Sequence, residues 1–109
     1  MKGEEAVRRL LAGEPDALEA IATAFTPLVH YVISAILEDP QEREECVADI
    51  LHQVWQAREQ FDPEKGSFTT WLTILARNAA LNRKRAQRRR EAGRAEWDEK
   101  LPHPGDGPE

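Results

Sequence analysis

The sequence reads as an all-α protein, because its apolar residues recur at spacings of three and four instead of alternating. Gly, Pro and helix-capping residues fall where each apolar stripe ends, and 32% charged beside 40% hydrophobic residues suits a small, highly charged helical core. A length of 109 residues corresponds to one domain with at most a short tail.

A first short helix is expected over residues 3–11, stopped by Gly13, with Pro15 suited to the first turn of the next helix. Leu18, Ile21, Ala22, Phe25, Val29, Val32, Ile33 and Ile36 then form one apolar stripe. Pro27 interrupts it and implies a kink, or a break with Thr26 capping the second piece. Asp39-Pro40-Gln41-Glu42 has the form of a capping box with proline at the first helical position. The helix it starts should bury Val47, Ile50, Leu51 and Val54, with Trp55 at the margin. Asp62-Pro63 and Gly66 mark residues 60–66 as a turn-rich loop, and Ser67 is the expected N-cap of the last helix. Phe68, Trp71, Leu72, Leu75, Ala76 and Ala79 share one face of that helix.

Beyond Asn82 the apolar stripe fades, so the helix is expected to leave the core. From Gly93 onward Pro102, Pro104, Gly105, Gly107 and Pro108 read as a disordered tail. The expected architecture is a three-helix bundle with a short preceding helix in residues 1–92, and an acidic, Pro/Gly-rich tail or linker in 93–109.

Charge is strongly segregated. Residues 1–76 carry −8, residues 77–94 carry +7 and residues 95–109 carry −4, within a total of −5. The cationic end of the last helix is a candidate phosphate-binding surface that the acidic total conceals. The one cysteine, Cys46, cannot form an internal disulfide, and a reducing cytoplasm is the simplest compartment for it. It shares no ligand spacing with His30, His52 or His103, so no metal site is expected. Nucleotide-phosphate and nucleophile-elbow motifs are absent, which leaves no catalytic reading. No apolar run approaches the roughly 20 residues of a membrane span, and residues 1–12 lack the apolar segment of a secretory signal.

The string FDPEKGSFTTWLTILARN, followed by a basic stretch, resembles region 2 of extracytoplasmic-function (ECF) sigma factors, within the sigma-70 superfamily. Upstream, GEPDALEAIATAFTPLVHYVISAIL resembles that region's first helix and ECVADILHQVWQA its DLVQEVFLRVW segment. The resemblance covers about residues 13–92, and its specificity comes from three pieces in the right order and spacing. It implies a non-enzymatic, cofactor-free module of bacterial transcription initiation, placed in the cytoplasm at the nucleoid. Its implied partners are the β′ clamp helices of the RNA polymerase core and the non-template strand of the promoter −10 element, with an anti-sigma factor as a further candidate and no membrane.

By motif position, Glu45, Asp49 and Gln53 fall in the segment that binds polymerase. Between the two acids the family's usual glutamine is replaced by Ala48. Phe61, Asp62, Lys65, Gly66 and Ser67 belong to the loop that cups a flipped-out base, and Asn78 is the asparagine that lines that pocket. Arg77, Asn82, Arg83 and Arg85 follow along the recognition helix, with Asn82 where the family often has aspartate. Family members also carry a helix-turn-helix domain for the −35 element, which these residues do not include.

The residue chemistry supports the same assignments. Unpaired bases need a concave polar pocket, and Asn78 offers both a donor and an acceptor to a base edge. The arginines of 77–90 suit phosphates, which position a protein without reading sequence. Glu45 and Asp49 lie on one helix face opposite the apolar stripe, suited to a cationic partner helix. Blander readings stand beside these: a solvated face for 83–90, an ordinary acidic surface for Glu45 and Asp49, and core packing for Trp55, Phe68 and Trp71. Phe61 fits either the core or the DNA side. Two alternative functions also stand, a stand-alone regulator that occupies polymerase without initiating and a helical nucleic-acid-binding module.

Overall fold

The computed structural model describes residues 2–99 of the chain, and side chains over residues 3–93. Its helices are α1 (Lys2–Leu11), α2 (Ala17–Ser34), α3 (Pro40–Gln56) and α4 (Phe68–Glu99), with a single 3-10 turn at Arg58–Gln60 between α3 and α4. No strand occurs among the described residues.

α1 ends in a Schellman motif. Gly13 N–H donates to the Leu10 carbonyl and Glu14 N–H to that of Arg9, at 3.0 and 3.1 Å. Gly13 sits at φ 76°, a left-handed conformation that costs a side-chain-bearing residue more, which is why glycine stops the helix. The turn folds α1 back along α2, placing Gly3 against the Phe25 ring. Pro15 belongs to this turn rather than to the first turn of α2, whose N-cap is Asp16.

α2 is the central core helix. Of the kink or break anticipated at Pro27 the break does not occur, and α2 is continuous from Ala17 to Ser34 with the proline inside it. Over 18 residues its mean hydropathy of 1.3 matches a short membrane-crossing helix. Its Ala17, Ile21, Val29 and Ile33 are buried against the other helices. Cys46, Ile50 and Val54 of α3 meet this stripe, with Leu72, Ala76 and Ala80 of α4 and Ala6 and Leu10 of α1. The short N-terminal helix is thus part of the core. Val47 and Leu51, expected among the buried residues of α3, are only half-buried, and Cys46 takes the deeper position.

Asp39 caps α3 as expected, its carboxylate accepting from Gln41 N–H at 3.0 Å. Glu42, the other half of the anticipated box, turns away to pair with α4.

Phe68 holds the opening turn of α4 in an aromatic cluster. Its ring centroid lies 5.1 Å from Phe25 and 5.5 Å from both Phe61 and Trp71. Ser67 caps α4, with Oγ accepting from Thr70 N–H at 3.1 Å. Ser67→Ala should therefore lower stability by about 1 kcal/mol. Urea unfolding checks this, and a change near zero would remove the cap's role.

α4 has 32 residues and runs through Gly93 to Glu99, further than the sequence pattern placed its end. Its length accounts for much of the molecule's 57 Å long axis against 25 and 23 Å across. The remaining tail, 100–109, lies outside the described residues.

Candidate functional site

α3 and α4 lie side by side and enclose a groove of about 510 Å³. Glu42, Glu45, Asp49 and Gln53 line one wall, at the helical spacing that keeps them on one face. Asn82, Arg83 and Arg90 line the other. The expected polymerase residues and part of the expected DNA residues therefore share one cleft.

Arg83 occupies its centre. Nε donates to Glu42 Oε1 at 2.8 Å, Nη2 to Glu45 Oε1 at 2.6 Å and Nη1 to Asp49 Oδ2 at 2.9 Å. Burial by itself would lower the Arg83 pKa, but the hydrogen bonds it donates to Glu42 and Glu45 and the surrounding negative field raise it above the ordinary guanidinium value. Arg83, expected along the DNA face, is thus turned inward here, and the acids expected to meet an external cation already share an internal one. Arg90 adds a weaker contact to Glu42 at 3.9 Å. The reason is helical rotation: Arg83 and Arg85 are two residues apart and point to different sides.

The next residue, Lys84, is also structural. Its ammonium donates to the Ile36 carbonyl at 3.1 Å, while Arg43 Nε donates to the Leu37 carbonyl at 2.7 Å. Both cations satisfy carbonyls just beyond the C-terminus of α2. The basic segment is therefore divided between structure and solvent. Arg77, Asn78, Asn82 and Arg85 are exposed, and Arg85 Nη1 donates to Asn82 Oδ1 at 2.8 Å.

The loop between α3 and α4 is built on Phe61, which packs inward edge-to-face on Phe68. Its ring belongs to the core, the inward one of the two placements open to it. Asp62 stays exposed and orders the loop, its carboxylate accepting from Glu64 N–H at 2.9 Å and its carbonyl from Lys65 N–H at 3.0 Å. Lys65, Gly66 and Ser67 are exposed. Gly66 has neither a positive φ nor a neighbour within 4 Å of a Cβ built on it, so packing within the chain gives no reason for glycine there.

A second groove, of about 730 Å³, runs between this loop and α1, with Phe25, Phe61, Pro63, Gly66, Ser67 and Phe68 among its lining residues. Asn78 is not one of them. Roughly 16 Å of helix separates it from Ser67, the N-cap of α4. Ile74, 56% exposed, lies on the same solvent face of α4 as Arg77, Asn78 and Arg85. Tyr31 of α2 is 80% exposed. Periodicity does reveal Ile74, which falls off the apolar stripe set by Leu72, Leu75 and Ala76.

The fold is thus all-helical among the described residues, with a carboxylate-lined helix set against a basic one. Residues 21–90 match the family model for sigma-70 region 2, and the chain belongs to this family. It is 31% identical over 105 residues to the ECF RNA polymerase sigma factor SigK of Mycobacterium sp. (strain KMS), covering 92% of this chain and 54% of that protein. It is likewise 31% identical over 81 residues to SigK of Mycolicibacterium vanbaalenii, covering 74% of this chain and 41% of that protein. Similarity to the ECF sigma factor RpoE of Cereibacter sphaeroides is 36% over 56 residues, covering 51% of this chain and 31% of that protein. The chain thus spans about half the length of the SigK proteins it matches. No solved structure matches it significantly.

Proposed function

We propose that this chain acts as the region 2 module of an ECF sigma factor in transcription initiation, in the bacterial cytoplasm at the nucleoid. α3 docks on the β′ clamp helices of RNA polymerase through Glu45, Asp49 and Gln53. The loop at 62–67 and the solvent face of α4 hold the non-template strand of the −10 element. The proposed role is binding rather than catalysis.

The observation that carries this reading is the half-open carboxylate face of α3 beside a basic helix, in a chain of this family. The side chains of Glu45 and Asp49 remain 51% and 59% exposed despite Arg83. Each carboxylate offers more acceptor sites than Arg83 uses, so an incoming cation can still be bound. On the DNA side, Gly66 leaves room for close approach to the loop backbone. Arg77 and Arg85 offer phosphate contacts, and Ile74 beside Asn78 offers an apolar surface to an unstacked base.

Binding of the purified chain to isolated β′ clamp helices tests the docking half. Micromolar or tighter affinity is expected, and no binding by a folded sample would refute it. Asn78→Ala tests the DNA half. It should weaken binding to single-stranded −10 sequence by about tenfold, near the value of one lost base contact, and binding to a scrambled strand much less. Equal losses on both strands would argue against base capture.

A further inference from the structure

We infer that Arg83 is a positioning residue for the docking face on α3, holding Glu45 and Asp49 in the arrangement a cationic partner meets, and is not itself a DNA ligand. This rests on the reading of α3 as a docking face.

The geometry favours a fixed strut over a free cation. One guanidinium spends all three of its nitrogens on three carboxylates, at 2.6 to 2.9 Å. Glu42 anchors it, its side chain only 19% exposed and that of Arg83 23%. Turning Arg83 outward to a phosphate would leave the half-buried Glu42 carboxylate facing two other acids without its closest cation. The planar fork also constrains its partners, because Arg83 bridges carboxylates from successive turns of α3. It holds Oε1 of Glu45 and Oδ2 of Asp49, while Gln41 Nε2 donates to Glu45 Oε2 at 3.2 Å. Asp49 Oδ1 accepts no hydrogen bond among the described residues and is left for a partner.

Two flexible acids thus meet their partner already ordered, which reduces the entropy lost on docking. The arrangement has a second consequence. Arg83 belongs to the helix proposed to hold DNA, so it ties the orientation of α4 to that of the docking face.

The test uses the full chain with Arg83→Lys, Arg83→Ala and Glu42→Gln, each checked for helical content and melting. Arg83→Lys keeps the charge and removes the fork. It should weaken binding to isolated β′ clamp helices by about tenfold, with Glu42→Gln giving a smaller loss in the same direction. The salt dependence of single-stranded DNA binding should not change in Arg83→Ala, whereas loss of a phosphate ligand lowers the slope by about 0.7. Unchanged or tighter clamp binding by Arg83→Lys and Arg83→Ala would overturn the inference, the tighter result making Arg83 a competitor of the partner. A reduced salt slope would overturn it independently, making Arg83 a DNA ligand. If the wild type binds no clamp helices, the docking reading fails first and this inference fails with it.

Discussion

Phe68→Ala is expected to lower the unfolding free energy by about 3–5 kcal/mol, a large share of the roughly 5–15 kcal/mol available to a small domain. Phe68 is 6% exposed and sits where α2, the loop and α4 meet. Phe25, Phe61 and Trp71 all place their rings against it, so truncation removes apolar burial and leaves a cavity that rigid rings fill poorly. The loop from 62 to 67 should loosen as well, because Phe61 would lose its edge-to-face partner. Urea unfolding followed by tryptophan fluorescence measures the effect. A loss below about 1 kcal/mol would mean that the cluster is not an anchor of the core.

Asp49→Arg should produce the largest change in binding. The side chain is 59% exposed, so helical content and cooperative unfolding should persist. The introduced guanidinium faces Arg83 across the groove, converting an attractive cluster into one with a like-charge contact. A cationic partner would then lose an acceptor and meet a repulsive charge, and such juxtapositions cost several kcal/mol. Affinity for the β′ clamp helices should fall by about 100-fold or more. Retention of full affinity by the folded variant would remove Asp49 from the docking face.

Much of the site was legible before folding because it depends on short-range rules. Asp39 and Ser67 were recognisable as N-caps, and Gly13 as a stop, since capping involves a side chain and backbone only a few residues apart. The acidic spacing of Glu45 and Asp49 and the basic run after Asn82 were visible for the same reason. Phe61 was ambiguous because an aromatic at a helix end can turn either way. Its burial followed from the position of Phe68 and Trp71 across the loop.

The amino-acid sequence by itself determined the helical class, the order and caps of the helices, the segregation of charge and membership of the sigma-70 region 2 family. Periodicity and capping act within a turn or two of chain, so they are written in neighbouring residues. Only the tertiary structure decided which cations serve the fold. Arg83 and Glu42 are 41 residues apart, and Lys84 and Ile36 are 48. Those pairings depend on how α3 and α4 are rotated about their axes as the core packs, and a rotation of one residue would send Arg83 elsewhere.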